Sequence, residues 1–373
     1  MTARLRDVAE RAGVSISTVS RMLSDDTARP VASVTQKRIR EAMRAVNYEP
    51  KQGSKRPMRR VGKYGRRTHR VGLVLGPPVS KFSDPFLPRI LDGVYRELSR
   101  LHCLLQFTHI LHELEEEDYH ALLSRDKVDG LIFAGELSPA DHIIDVERSV
   151  VIELGGDQLR RSGHVQTDII ATEKRSAMYQ LVDHLVAQGR CRMAFLGPSP
   201  EEDERGEAFM HALARHGLSV EPAWYRHAAW TTDRAYPVAL DFVEKQGRDV
   251  DTIVCANDMI AIAALRAVKE RGLSVPGDIA ITGFDDFAFA RDLDPPLTTV
   301  HLPLDLMGRL AARKVIERLE HPDWPPIIHV VPTTLVVRVS SGATAIKAIG
   351  APYSVATPGA PESYLDRASG LSR

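Results

Sequence analysis

Between Leu5 and Leu23 apolar residues recur at helical spacing in two short runs that meet at Gly13. In the first, Leu5, Val8, Ala9 and Ala12 give a helix one apolar face. In the second, Val19, Met22 and Leu23 stand at i, i+3 and i+4. Ser15 occupies the place of a helix N-cap, and Gly13 can take the left-handed conformation that ends the first helix. A third segment opens with Ser33-Val34-Thr35-Gln36, which reads as a capping box, and Ile39, Met43 and Val46 continue its apolar stripe. Three short helices with a tight, glycine-containing turn between the first two predict a helix-turn-helix over residues 1–50.

From Val71 the period changes. Short β-rich runs at Val71–Leu75, Leu104–Thr108, Val128–Ala134 and Val150–Leu154 alternate with helical stretches such as Phe86–Leu101 and Glu113–Leu123. A second series follows at Val165–Asp168, Met193–Gly197, Thr252–Asn257 and Ile279–Phe284, with helices over Ala171–Ala187, Glu204–His216 and Met259–Arg271. Such alternation predicts βαβ units and parallel sheets. Two sets of similar size predict two Rossmann-like lobes, with a ligand cleft at the carboxyl ends of the strands.

Composition adds a polarity to this plan. The chain is formally neutral, but residues 1–70 hold 18 Lys and Arg against 6 Asp and Glu, and the remainder is correspondingly acidic. A basic head on an acidic body is the distribution of a nucleic-acid binder with a separate regulatory domain. Residues 51–69 read as a basic linker broken by Gly53, Pro57, Gly62 and Gly65. Residues 70–342 form the two-lobed part, and the Ala-, Gly-, Pro- and Ser-rich tail over 343–373 reads as disordered. Cys103, Cys191 and Cys255 are far apart in apolar runs and read as buried free thiols without zinc spacing. No apolar leader and no apolar run of membrane-spanning length is present, so the expectation is a cytoplasmic protein without a membrane partner.

The runs Asp7-Val8-Ala9, Ala12-Gly13-Val14-Ser15, Thr18-Val19-Ser20-Arg21 and Asn47-Tyr48-Glu49-Pro50 strongly resemble the head of lactose-repressor-type (LacI/GalR) transcriptional regulators. The resemblance continues in order to about Gly342. It implies an α/β periplasmic-binding-protein-like effector domain behind the head, a chain that crosses back near Thr298–Val300 and Val330–Pro332, a homodimer, and double-stranded operator DNA as partner.

In a helix-turn-helix the start of the second helix faces the bases. Ile16, Ser17 and Arg21 are therefore candidates for base edges, with Arg21 suited to guanine. Ile16 also lies on the Val19/Leu23 stripe, so a place in the core stays open for it. Ser15, Thr18 and Ser20 are candidates for phosphate contact or for helix capping. In the linker, relatives carry Ala-Arg-x-Leu where this chain has Ser54, Lys55, Arg56 and Pro57. Proline opposes a hinge helix there, which leaves Lys55, Arg56 and Arg59 as an extended basic arm for a narrow minor groove. Met58 as an apolar wedge is the competing reading.

For the cleft the resemblance implies contacts from Asp84 and Phe86 of Asp84-Pro85-Phe86, Asp168 at a strand end of the second lobe, Arg205, Trp230, Asn257 and Asp285. Carboxylates, an amide and an arginine fork suit vicinal hydroxyls, and an aromatic face covers a sugar ring. Plain packing stays open for Trp230, and a helix cap for Asp258 and Asp286. Ile169 after Asp168 departs from the usual Asn, and Asp84 adds negative charge. A carbohydrate effector is expected, and no cofactor. The alternatives are a solute-binding protein, which would leave the basic head unexplained, and an enzyme, for which no GxGxxG, Walker A, GxSxG or HExxH run is present.

Overall fold

The computed structural model describes residues 5–23, 31–46, 68–76, 85–110, 127–135, 148–154, 167–343 and 347–349. Contacts divide the chain into two compact units, Met1–Thr68 and His69–Arg373. The linker arm Lys55, Arg56 and Arg59, the cleft candidate Asp84 and the expected helix Glu113–Leu123 lie outside the described residues.

The first unit holds α1 (Leu5–Ala12), α2 (Ile16–Leu23) and α3 (Ser33–Ala45). Its core is Val8, Ala9, Ala12, Val19, Ile39 and Ala42, with Met22, Met43 and Val46 packed around it. Gly13 has φ 60°, the left-handed turn expected between α1 and α2. Arg38 of α3 donates to the Ala12 carbonyl at 2.6 Å and so covers the end of α1. Ser15 caps α2, its hydroxyl accepting from the Thr18 N–H at 3.2 Å. The expected capping box at α3 takes another form. The Gln36 amide reaches back past Ser33 and donates to the Val31 carbonyl at 2.8 Å.

The second unit contains two parallel sheets. One has six strands in the order β11-β5-β4-β3-β1-β2. These are β1 (Arg70–Leu75), β2 (Leu104–Ile110), β3 (Gly130–Gly135), β4 (Ser149–Glu153), β5 (Asp168–Thr172) and β11 (Ile328–Val331). The other has four, β7-β6-β8-β9: β6 (Met193–Gly197), β7 (Tyr225–His227), β8 (Thr252–Cys255) and β9 (Ala280–Thr282). Interior strands such as β3, β4 and β6 are buried along their whole length, as parallel strands covered on both faces must be.

The six-stranded lobe carries α4 (Phe86–Arg100) and, from far along the chain, α9 (Leu304–Glu320). The two helices meet backbone to backbone. A Cβ at Gly93 would stand 2.0 Å from the Asp305 carbonyl, and one at Gly308 2.4 Å from that of Ile90. Glu97, 3% exposed, is held by Arg100 at 2.7 Å and by Arg313 of α9 at 2.7 Å. Burial works against its charge, and the two arginines prevail and keep it below the usual carboxylate range.

The four-stranded lobe carries α5 (Lys174–Ala187), α6 (Glu204–Arg215), α7 (Thr232–Gln246) and α8 (Asp258–Glu270). The chain passes between lobes after β5, then after β10 (Thr299–His301), and again between β11 and β12 (Thr334–Val337). β10 and β12 pair antiparallel, and β13 (Lys347–Ile349) adds a third strand, with Leu335 opposite Ile349.

Several expectations need correction. The strand expected over Val165–Asp168 is β5, which starts at Asp168 and belongs to the first lobe. α7, which carries Pro237 within it, and α9 were not anticipated. The tail is ordered at Lys347–Ile349, where pairing with β12 outweighs a loop-like composition. Cys103 and Cys255 are buried as expected, whereas Cys191 is exposed.

Candidate functional site

The carboxyl ends of β6, β8 and β9 converge on one cluster. After β6 the chain turns through Asp203, which caps α6 by accepting from the Arg205 N–H at 2.9 Å. The Arg205 side chain, 2% exposed, folds back on the same carboxylate, donating through Nε at 2.8 Å and Nη2 at 3.1 Å. Nη1 donates to the Ala256 carbonyl beyond β8 at 2.8 Å. The guanidinium lies 4.5 Å from the centroid of the Trp230 ring and 5.2 Å from that of Phe284. Arg205 is thus fixed in direction before any ligand arrives.

Asn257 caps α8, accepting from the Ile260 N–H at 2.8 Å, and donates to the Trp230 carbonyl at 2.9 Å. It therefore holds the indole over Arg205 rather than standing free. Lys174, which follows β5, is 1% exposed and lies 3.9 Å from both Asp203 and Glu204. Burial opposes ionisation of Asp203, but the charges of Arg205 and Lys174 and the Arg205 bonds outweigh it and hold the carboxyl well below its ordinary value.

Two aspartates after β9 occupy left-handed backbone conformations, Asp285 at φ 118° and Asp286 at φ 52°. Non-glycine residues rarely adopt these, and they persist where the surroundings fix them. Asp286 bonds to Arg338 at 2.7 Å and His301 at 3.0 Å. Asp285 is completely buried, and neither of its carboxylate oxygens has a hydrogen-bond partner among the described residues. Its Oδ1 lies 3.8 Å from Arg205 Nη1. Burial pushes its pKa well above the usual range, against the pull of Arg205. Asp258 is raised to about 7, first by burial, although it accepts from the Thr299 hydroxyl at 2.6 Å and the Phe287 N–H at 2.9 Å. It is therefore a buried network member and not the α8 cap.

The first lobe reaches this cluster through α4. Phe86 packs edge-on against Phe287 with ring centroids 5.0 Å apart. Arg89, one turn further, donates to the carbonyls of Asp285 at 3.3 Å, Asp286 at 3.4 Å and Leu302 at 2.9 Å.

Asp168 does not join the cluster. It opens β5 in the first lobe, at the opposite end of that strand from Lys174. There it is bonded by Arg318 at 2.8 Å and by the Ile327 N–H at 3.0 Å, with Lys314 3.6 Å away. Ile169 is an interior strand residue with no exposure. The strand ends at Thr172, four residues beyond Asp168, and the chain reaches the cluster at Lys174.

Residues 4–51 match the family described as bacterial regulatory proteins, lacI family, and residues 182–341 match the periplasmic binding protein-like domain. The chain is 32% identical over 356 residues to the HTH-type transcriptional regulator reg1 of Streptomyces lividans, covering 91% of this chain and 97% of the relative. It belongs to the lacI family of transcriptional regulators. The lacI-family regulator MalR of Streptomyces coelicolor is also 32% identical, over 91% of this chain and 97% of its own length. Among solved structures, the transcriptional regulator CelR–cellobiose complex superposes with a TM-score of 0.64 at 26% identity, covering 91% of this chain and 99% of the other. The lac repressor dimer bound to operator and the anti-inducer ONPF gives 0.62 at 23% identity, over 92% and 100%, a likeness of fold.

In the lacI-type head, Ile16 and Thr18 open α2. Ile16 is 48% exposed, so it lies outside the core formed by Val19 and its neighbours. The hydroxyls of Ser15 and Thr18 stand 2.8 Å apart. Ser17, Ser20 and Arg21 are α2 residues whose side chains lie outside the described ones.

Sequence reasoning missed Lys174, Asp203 and Arg89. Asp203 carried a legible signal, an Asp immediately before a helix. Lys174 was hidden by placing the helix start at Ala171, and Arg89 looked like any polar residue on an amphipathic helix.

Proposed function

We propose that this lacI-family regulator is a dimeric repressor whose grip on a pseudo-palindromic operator is set by a polyhydroxylated small molecule bound between the lobes. The observation that carries the reading is Asp285. Its carboxyl is buried, has no hydrogen-bond partner among the described residues, and lies beside an immobilised Arg205 and the Trp230 ring. A buried acceptor without donors costs about 1–3 kcal/mol, and a pair of ligand hydroxyls removes that cost. A sugar supplies such hydroxyls together with an apolar ring face, and one of the similar solved structures is a CelR–cellobiose complex.

The ligand acts by differential affinity. It binds the lobe arrangement in which its hydroxyls reach Asp285, and so raises that arrangement's population. Arg89 and Phe86 carry the change to the first lobe, because both already contact the Asp285–Phe287 segment. On DNA, Ile16, Ser17 and Arg21 read base edges and Ser15, Thr18 and Ser20 meet phosphates. Lys55, Arg56 and Arg59 follow the minor groove. Two heads on a C2 dimer raise affinity through effective concentration.

The test is fluorescence anisotropy of the purified chain on DNA from upstream of its own coding sequence, titrated with cellobiose, maltose and a panel of other sugars. The reading expects tight, salt-sensitive binding that one sugar class relieves. A chain that binds sugar but never this DNA would instead be a solute-binding protein, and the proposal would fail.

A further inference from the structure

Behind the strained Asp285-Asp286 pair lies a pocket of about 260 Å³ lined by Arg89, Asp286, Phe287, Ala288, Arg291 and Arg338. It is distinct from the Asp285 cluster, because Asp286 bonds to Arg338 and His301 while Asp285 stands beside Arg205. Three guanidiniums line it against one carboxylate, and each comes from a different element. Arg89 comes from α4, Arg291 from the 3-10 turn Ala288–Arg291, and Arg338 from the residue after β12.

Their donors are only partly committed. A guanidinium has five N–H donors. Arg89 makes three bonds to carbonyls, and Arg338 makes two, to the Leu297 carbonyl and to Asp286. Among the described residues Arg291 has only a 3.6 Å ion pair with its neighbour Asp292, and its side chain is 71% exposed. The carboxylate in the wall is no obstacle. Both Asp286 oxygens are engaged, and although burial opposes its charge, the His301 and Arg338 bonds keep it ionised below the usual range. What remains is a recess with surplus positive charge and one apolar wall at Phe287.

We propose that this pocket is a second, anion-selective ligand site that takes a small phosphate-bearing metabolite. A planar carboxylate is satisfied by a single guanidinium fork, whereas a tetrahedral phosphate offers acceptors to several forks at once. The volume leaves room for a short carbon skeleton against Phe287. An occupant tied to Arg89 on one side and to Arg291 and Arg338 on the other would fasten α4 to the loop that carries Asp285. The site therefore modulates the lobe arrangement independently of whether a sugar occupies the cleft.

Thermal unfolding of the full chain tests this with inorganic phosphate, glycerol 3-phosphate and succinate against chloride at matched ionic strength. Saturating phosphate should raise the midpoint by about 5 °C, with glycerol 3-phosphate acting at lower concentration. Ala288→Glu puts a carboxylate into the wall at an exposed position and should abolish the saturable rise while leaving the midpoint in chloride unchanged. Arg291→Ala should weaken phosphate binding roughly tenfold by calorimetry. An equal phosphate effect on wild type and Ala288→Glu would overturn the site, as would the lack of any saturable effect. Succinate binding as tightly as phosphate would overturn the choice of ligand.

Discussion

The Arg205 guanidinium stands 3.8 Å from Asp285 but is held in bidentate fashion by Asp203, at 2.8 and 3.1 Å. The nearest cation to Asp285 is thus already neutralised by another carboxylate, which is why Asp285 keeps an acceptor deficit. Arg205 consequently has two duties that mutation can separate.

Asp285→Asn should weaken effector binding about tenfold, the loss of about 1.4 kcal/mol of hydrogen bonding to the ligand hydroxyls. Thermal stability should not fall, because a buried carboxyl without partners is being removed. Arg205→Ala should lose effector binding and also about 3–5 kcal/mol of stability, since Asp203 would be left buried and unpaired. Calorimetry with the sugar that releases DNA, run beside urea unfolding, separates the two outcomes. Equal stability losses in both variants would count against this division of roles.

The buried acids predict how stability follows pH. Asp258 titrates at about 7 and Asp285 is raised well above the ordinary carboxylate value. Between that ordinary value, about 3.9 in the unfolded chain, and the raised ones, the folded state binds protons that the unfolded state lacks. The contribution of Asp258 is complete on the acid side and is lost as pH rises through about 7, and that of Asp285 is lost in the same direction. Asp203 and Asp286 are lowered and act the other way, withdrawing stability only below the ordinary value. The unfolding midpoint should therefore decline from pH about 5 to 8. Asp258→Asn can keep both bonds, accepting from the Phe287 N–H and donating to the Thr299 hydroxyl, and should flatten that decline. A midpoint that rises across the same interval would refute the assignment.

Asp168→Ala should behave as a stability mutant with normal effector affinity. It leaves Arg318 and Lys314, 5% and 6% exposed, without their shared carboxylate. Loss of a buried partner of this kind costs about 3–5 kcal/mol. A sugar affinity reduced in step with Asp285→Asn would instead return Asp168 to the binding site.

On DNA, Arg21→Ala should abolish preference for the operator over scrambled DNA, at a cost of about 1–3 kcal/mol per lost bidentate contact. Ile16→Ala should change preference at one base step with the head still folded, because Ile16 is exposed and contributes little to the core. Anisotropy on paired operator and scrambled duplexes at two salt concentrations checks both. An unfolded head in Ile16→Ala, seen by circular dichroism, would place Ile16 in the core after all.

The head was legible because its information is local: the Val8/Ala9/Ala12 stripe, the Ser15 cap and the left-handed Gly13 all act within a few residues. In the body, strand and helix periods located most elements, and the family resemblance pointed to Arg205, Asn257 and Asp285, which the fold brings together. The errors arose where a residue's role is set by a distant partner. Asp168 resembles a site carboxylate until Arg318, 150 positions away, is seen to hold it. β5 was assigned to the wrong lobe; it pairs with β4, just before it in the chain, and with the remote β11. Gly93 and Gly308 carried no signal of the contact between α4 and α9, which exists only once both helices are in place.

The crossings between lobes also set an order of assembly on the ribosome. The four-stranded sheet is continuous in the chain, from β6 at Met193 to β9 at Thr282, and its strands can pair as soon as that stretch emerges. The six-stranded sheet begins earlier, at Arg70, but its edge strand β11 and the helix α9 that covers α4 end only at Val331. Apolar strands made first must wait for partners made last. The lobe synthesised first is the one that closes second, and until β11 is made the β5 edge of its sheet is open to pairing.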